Sequence, residues 1–290
     1  MLRKKLMLTN ACVVCGLAKS KSIYPKKNIL QCDNCGHIFA LTHLSSIEYQ
    51  EIYQHSYFHG EEYFNYIQDK AAIQKNFQAR LQTILNYVSN TKDKNIFEIG
   101  SAYGFFLELA QKHFCHVLGV DLCVEAVQYA NTTLGVKSVL ANDDSYHDIL
   151  KSEIDVLAMF DCIEHLPRPD LCFESVVPLI KAGGLVCLST GDISSFNAKM
   201  RGMSWRLIHP PTHVHYFSKH TIKLFLERFG FEMIHCSYPG IYRSLAMMVN
   251  QLSLRWWNRP LISPAFRSRF SNWMFYLNLY DVMFVIAKKK

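Results

Sequence analysis

Phe97-Glu98-Ile99-Gly100-Ser101-Ala102-Tyr103-Gly104-Phe105-Phe106-Leu107 is the stretch whose reading decides the fold. The run at 95–99 has the length and apolar content of a buried strand. It breaks into a turn with a small residue at every second position, and apolar residues resume with helical spacing from Phe105 to about residue 112. Such a turn lets backbone approach a ligand closely. A dinucleotide fingerprint would read G-x-G-x-x-G. Counted from Gly100, its last glycine falls on Phe105, so that fingerprint fails. The spacing acid-x-G-x-(G/A)-x-G is met instead by Glu98, Gly100, Ala102 and Gly104.

Outward from this turn, residues 116–121 read as a second strand and 124–134 as a second helix. Runs at 136–141, 154–160 and 184–189 read as the next three strands, with helices at 169–180 and 219–229. Residues 231–238 and 280–287 complete a set of seven strands. Alternating strands and helices imply an α/β fold with a mostly parallel sheet and helices on both faces. Such sheets bind ligands at the carboxyl ends of their strands. Asp121 ends the second strand there, where a carboxylate can accept hydrogen bonds from both hydroxyls of a ribose. The turn alone is a weak signal; with Glu98 before it and Asp121 after it the signal is strong.

Composition bounds the rest. The chain has 290 residues, 50% hydrophobic and 13% aromatic, which suits one large domain and a small one. Thirteen Gly and nine Pro exclude collagen-like and low-complexity classes. Ten Cys are too sparse for a disulfide scaffold. No apolar run approaches the roughly 18 residues of a bilayer span. The formal net charge of +7 gives a basic tilt. Residues 1–18 imitate a secretory leader, but Thr9 and Asn10 interrupt the apolar part and no small-x-small cleavage site follows. The expectation is a chain in a reducing cytoplasm, where paired cysteines bind metal more often than they cross-link.

Cys12 and Cys15 form one C-x2-C pair and Cys32 and Cys35 a second, each followed by Gly, with 16 residues between the pairs. That is the spacing of a four-thiolate zinc site. Zinc takes four such ligands in a tetrahedron, and a site with no open position is structural. Residues 1–43 are therefore expected to form a small zinc ribbon, too short to hold a sufficient core without the metal. Cys115, Cys123, Cys162, Cys172, Cys187 and Cys236 are scattered and read as small buried apolar residues.

Residues 44–92 read as a helical linker or cap. Ser45 and Glu48 have capping-box spacing. Ile67, Ile73, Phe77, Leu81, Ile84, Leu85 and Val88 recur at roughly helical intervals. Tyr49, Tyr53, Tyr57, Phe58, Tyr63, Phe64 and Tyr66 make the segment aromatic, as suits either a lid over a ligand or a bridge between domains. A second unusual segment, 241–277, carries Arg243, Arg255, Arg259, Arg267 and Arg269 without any acid, together with Trp256, Trp257 and Trp273. It reads as a lid packed on the sheet, as a membrane-surface element, or as a base-stacking element.

With these residues in view, the sequence over about 93–290 resembles the class I S-adenosylmethionine-dependent methyltransferases. The stretch at 97–107 is similar to their first motif and Gly119-Val120-Asp121 to their second. Asp161-Cys162-Ile163-Glu164-His165-Leu166-Pro167 resembles the loop after their fourth strand, and Ala182-Gly183-Gly184-Leu185 the turn into the fifth. His213-Val214-His215-Tyr216-Phe217-Ser218 and Phe229-Gly230-Phe231 fit the same group. Its broad subgroup includes quinone-biosynthesis O-methyltransferases and polysaccharide-associated enzymes, some with a similar ribbon in front. The resemblance implies a Rossmann-like sheet and S-adenosyl-L-methionine as cofactor. It implies that Gly100, Ala102 and Gly104 line the cofactor's methionine and ribose part, that Glu98 orients its amino group, and that Asp121 holds the ribose. Leu122 would pack on adenine, Asp143 would meet the adenine amine, and Asp161 would face the cofactor. In quinone-pathway relatives a cluster like Asp161, Glu164 and His165 can bind a divalent metal; the reading favoured here is that these residues cap and brace the next helix.

Transfer from a sulfonium mainly requires proximity and alignment. A hydroxyl acceptor also benefits from a general base. Glu164, His165, His213 and His215 are the candidates, by their place after the fourth and fifth strands. The leading expectation is methyl transfer to a hydroxyl of a small-molecule, glycan or lipid-linked acceptor, with peripheral contact at the inner membrane face in the lipid case. The alternatives are an RNA methyltransferase docked through its ribbon, and a non-catalytic zinc-ribbon interaction protein on the same scaffold.

Overall fold

Ile154–Phe160 is buried at every position. A strand buried on both faces needs cover on both, and the fold is arranged around that requirement. The architecture is that of a computed structural model describing residues 11–42, 48, 51–52, 66–141, 146, 149–150, 153–245, 247–249, 253 and 273–290.

The described strands are β1 (Ser20–Tyr24), β2 (Ile29–Cys32), β3 (Ile38–Ala40), β4 (Asn95–Ile99), β5 (His116–Asp121), β6 (Ser138–Leu140) and β7 (Ile154–Phe160). They continue with β8 (Ile180–Gly191), β9 (His215–Tyr216), β10 (Phe231–Ser237), β11 (Ile241–Ser244), β12 (Met274–Leu277) and β13 (Val282–Lys289). The α-helices are α1 (Lys70–Leu85), α2 (Phe105–Ala110), α3 (Val124–Thr132), α4 (Pro169–Val176), α5 (Phe196–Arg201) and α6 (Lys219–Arg228).

The main sheet has seven strands in the order β10-β13-β8-β7-β4-β5-β6. Neighbours from β8 to β6 run parallel. β13 runs antiparallel to both β8 and β10. Alternate residues supply two cores. Phe97, Leu157, Met159 and Val186 meet Phe173 of α4 and Phe225 of α6 on one face. Ile96, Val156, Ala158 and Phe284 meet Leu81 and Ile84 of α1 and Phe106 of α2 on the other. The expected seven-stranded α/β sheet with helices on both faces is therefore present.

Several boundaries differ from expectation for physical reasons. α4 stops at Val176, because Pro178 lacks the N–H that would continue it. β8 starts at Ile180 and runs 12 residues, through Gly183 and Gly184. β6 is only three residues long. Cys115 is exposed just before β5 and is no core residue, whereas Cys187 is fully buried. Among the described residues no helix is long and apolar enough to cross a membrane.

The N-terminal unit is more entangled than residues 1–43 alone suggest. β1, β2 and β3 pair antiparallel, and β3 then pairs with β9, placing Ile38 opposite Tyr216 and Phe39 opposite His215. Cys12, Val13 and Val14 share one apolar core with Phe217 and Phe225. Arg228 Nη1 donates to Val13 O at 2.9 Å, and Lys27 Nζ to Ile208 O at 3.1 Å. Within the 44–92 segment α1 packs on the sheet, while Ser45 and most of the aromatic stretch lie outside the described residues. Of the 241–277 segment, β11 and β12 form a two-stranded antiparallel sheet; Arg255, Arg259, Arg267, Arg269, Trp256 and Trp257 lie outside the described residues.

Candidate functional site

The parallel register sets Ile99 beside Val120, so the turn after β4 lies against the end of β5. Gly100 and Gly104 both have φ of +78°. A Cβ on Gly100 would lie 2.7 Å from Cys162 Sγ, and one on Gly104 would lie 2.9 Å from the side chains of Ala130 and Val136. Ala102 also sits in the left-handed region, at φ +44°. That conformation aims its N–H at Asp121 Oδ2, 2.7 Å away, while Asp121 Oδ1 accepts from Cys123 N at 2.9 Å. Each carboxylate oxygen keeps a lone pair for a further donor. Burial raises the Asp121 pKa, opposed by the N–H groups of Cys123, Ala102 and Leu122. Leu122 is half-buried beside it.

Glu98 is 1% exposed, and its Oε2 has no hydrogen-bond partner among the described residues. Burial lifts its pKa well above the usual range; nearby Asp121 adds to the rise and Arg80 opposes it. An unsatisfied buried carboxyl costs roughly 1–3 kcal/mol. An amino group bound there would supply the missing partner. Together with the glycine turn and Asp121, this donor-hungry carboxyl fits the methionine and ribose ends of S-adenosylmethionine. Asp143 lies outside the described residues.

Arg80 is the candidate site residue that motif reading missed. It is 7% exposed in α1, and both Nη atoms donate to Asp161 Oδ2 at 3.2 Å. The guanidinium lies 5.3 Å from the Phe160 ring centre and 5.7 Å from that of Phe77. Ser189 Oγ donates to Asp161 Oδ1 at 2.8 Å. Desolvation by its surroundings would raise the Asp161 carboxyl, which is itself exposed, but Arg80 and Ser189 hold it below the usual carboxylate range. Asp161 adopts φ +48°, a conformation that costs about 1–3 kcal/mol in a non-glycine residue and clusters at functional sites. The sequence signal for Arg80 was a charge on the stripe of Ile73, Phe77, Leu81 and Ile84.

The third group is Glu164, His165 and His213, whose ligand atoms lie within 4.8 Å of one another. They are close enough to share a proton or a divalent cation. Glu164 is buried and its Oε2 has no partner among the described residues. Burial, then the charge of Asp161, pushes its pKa up to about 8. Burial lowers His165 to about 4 and His213 well below the usual histidine range. His165 Nδ1 donates to Thr212 O at 2.9 Å, and His213 Nδ1 to Leu207 O at 3.0 Å. In both rings Nε2 is then the unprotonated nitrogen. Arg80, Asp161, Glu164, His165 and His213 line one pocket of about 190 Å³, with Tyr66, Phe77 and Tyr242 among its walls.

His215 does not join them. Its Nε2 donates to Pro167 O at 3.3 Å, and its Nδ1 is 3.2 Å from His37 Nε2. His37, fully buried in the ribbon, was not singled out in the sequence. The pair lies behind the pocket, bracing the segment that carries His213. Val214 N and His215 N both donate to Glu164 O, at 3.0 and 3.1 Å, while Val214 O accepts from Ala40 N of the ribbon at 2.8 Å.

In the ribbon, Cys12 Sγ and Cys35 Sγ are 3.6 Å apart and Cys15 Sγ and Cys32 Sγ 3.5 Å. A tetrahedron of Zn–S bonds near 2.3 Å has edges of about 3.8 Å, so the four thiols can hold zinc. A larger cleft, about 660 Å³, opens at the other ends of the strands between Asn95, Gly135 and Glu153. Ligands of parallel sheets bind at the carboxyl ends instead, where the pocket lined by Glu164 lies.

Residues 73–236 match the family described as a methyltransferase domain. Over 116 residues the chain is 26% identical to a ubiquinone biosynthesis O-methyltransferase of Serratia proteamaculans, covering 38% of this chain and 48% of that protein. A protein of the same name from Shewanella pealeana is 24% identical over 115 residues, covering 37% and 49%. The chain thus spans about half the length of the curated relatives it matches. The structure of a SAM-dependent methyltransferase from Archaeoglobus fulgidus shares the fold, with a TM-score of 0.50 and 19% identity over 81% of this chain and 97% of that one.

Proposed function

Because the chain belongs to the methyltransferase domain family, we propose that it transfers the methyl group of S-adenosylmethionine to a hydroxyl of a small-molecule, glycan or lipid-linked acceptor. The observation that carries the reading is Glu98, a buried carboxyl with an unpaired oxygen beside the Gly100–Gly104 turn and Asp121. The names of the relatives favour oxygen as the methylated atom and a small molecule as the acceptor.

When bound, the cofactor supplies a sulfonium methyl already activated for in-line displacement. The chain's own residues do the positioning, which is most of the catalysis such a reaction needs. Asp121 accepts from the ribose hydroxyls with the lone pairs that Ala102 and Cys123 leave open. Glu98 accepts from the amino group, whose positive charge draws the raised carboxyl pKa back down. Arg80, held by Asp161, would supply the cation for the cofactor's carboxylate. Glu164 takes the acceptor's hydroxyl proton, with the neutral His165 and His213 rings orienting that hydroxyl through Nε2. Cys12, Cys15, Cys32 and Cys35 hold a structural zinc that stiffens β3 and, through it, β9.

Calorimetric titration with S-adenosylhomocysteine tests the reading. The wild type should bind with micromolar affinity. Asp121→Ala should bind about 100-fold or more weakly, since two hydrogen bonds to a charged acceptor are worth roughly 1.5–3 kcal/mol each. A folded wild type that gives no heat, or a variant that binds as well, would contradict it.

A further inference from the structure

We infer that the acceptor carries a small anionic group, a carboxylate or a phosphate, that seats between Arg206 and Arg243 while its hydroxyl faces Glu164 and His213. This rests on the methyl-transfer reading and deepens it. Both arginines line the same pocket as Glu164 and His213. They enter from different walls, Arg206 from the segment before β9 and Arg243 from β11.

The Arg206 wall is built rather than incidental. Asp281 is 2% exposed and accepts from Trp205 Nε1 at 2.9 Å, Asn197 Nδ2 at 2.7 Å and Arg206 Nη2 at 2.8 Å. Asp281 fixes the guanidinium from behind through Nη2. The other N–H donors of the fork remain for a ligand, and a planar fork suits the oxygens of a carboxylate or phosphate.

Arg243 is the less neutralised cation. Among the described residues its hydrogen bond goes to Met247 Sδ, at 3.5 Å, and it forms no ion pair. Asp69 is the acid close enough to feel its charge. That carboxyl is buried, and Ser244 Oγ already donates to it. The remaining acids of the pocket offer Arg243 little. Asp161 is committed to Arg80, and Glu164 is buried with a raised pKa. The part of the pocket lined by Arg206 and Arg243 therefore holds more cationic than anionic charge. Tyr66, Phe77 and Tyr242 give it flat apolar walls between the charges.

The test compares benzoate and phenyl phosphate with the neutral isostere benzamide, by ligand-observed NMR on the full chain saturated with S-adenosylhomocysteine. At least one anion should bind about tenfold more tightly than benzamide, as expected for one charge-assisted pair. The stronger of the two identifies the group as carboxylate or phosphate. Arg243→Gln should remove that preference and leave S-adenosylhomocysteine affinity unchanged, and Arg206→Lys should reduce it. Equal binding of anions and benzamide, no binding of any probe, or an unchanged preference in Arg243→Gln would overturn the inference. Failure of S-adenosylhomocysteine to bind would sink the methyl-transfer reading itself, which separates the two.

Discussion

The turn after β4 and the cluster around His213 each adjoin a buried carboxyl with an unpaired oxygen, Glu98 and Glu164, yet they are held in place by different means. Glu98, Gly100, Ala102, Gly104 and Asp121 lie within one strand–turn–helix–strand unit, and backbone N–H groups from that same unit fix Asp121. The other region gathers Arg80, Asp161, Glu164, His165 and His213 from α1, from the loop after β7 and from the segment before β9. Its geometry depends on β9, and β9 in turn pairs with a strand of the ribbon. The turn proposed to hold the cofactor is thus locally determined, while the cluster proposed to hold the acceptor borrows its rigidity from the N-terminus. This contrast gives the four-cysteine ribbon a role beside a sheet already complete without it: it pairs with β9.

The largest expected effect separates the two regions. Replacing Cys12 and Cys15 with Ser should strip the ribbon of its metal, whose binding is worth roughly 10–16 kcal/mol in small zinc domains. Amide exchange at Val214 and His215, whose N–H groups donate to Glu164 O, should accelerate about 100-fold or more as β9 loosens. The N–H groups of Ala102 and Cys123, tied to Asp121, should keep most of their protection. Equal loss in both regions would erase the distinction.

A smaller effect sharpens it from the acceptor side. Burial, then the charge of Asp161, pushes the Glu164 pKa up to about 8, so the carboxylate that can act as a base becomes the major form as pH rises through that value. With any acceptor that turns over, the rate should therefore rise with pH through about 8. Glu164→Gln should flatten that limb and slow transfer at pH 9 by about 100-fold, the low end of general-base contributions. A limb that survives the substitution assigns the proton to another group.

The smallest effect lies in the cofactor turn. Ala102 holds a left-handed conformation that costs an L-residue about 1–2 kcal/mol. Glycine would remove that strain but bring more freedom to the unfolded chain. The net expectation for Ala102→Gly is a gain of up to about 1 kcal/mol, seen as a melting temperature higher by about 2–4 °C. A lower melting temperature would show that the methyl group itself packs usefully.

The same contrast governs what could be read before any coordinates. The seven strands and the turn were legible because each is a contiguous apolar run or a fixed short spacing. The four ribbon cysteines were legible because metal ligation imposes a pattern on neighbours. Arg80 was not, since its only signal is a charge on the apolar stripe of a helix, and the partner that explains it, Asp161, is 81 residues away. His215 read as a site residue because it shares a motif with His213; the structure pairs its ring instead with His37 of the ribbon, a residue 178 positions away. No sequence pattern reveals that a two-residue strand at 215–216 closes the ribbon's sheet. Asp143 and the basic aromatic core of the 241–277 segment stay as expectations, outside the described residues.

The most direct test of the two-part site is a crystal structure of the protein with S-adenosylhomocysteine. The expected result has the ribose hydroxyls on Asp121, the amino group on Glu98, and the thioether sulfur turned toward the pocket of Glu164 and His213. A ligand bound in the cleft near Asn95 and Gly135, or a sulfur facing away from His213, would contradict the account.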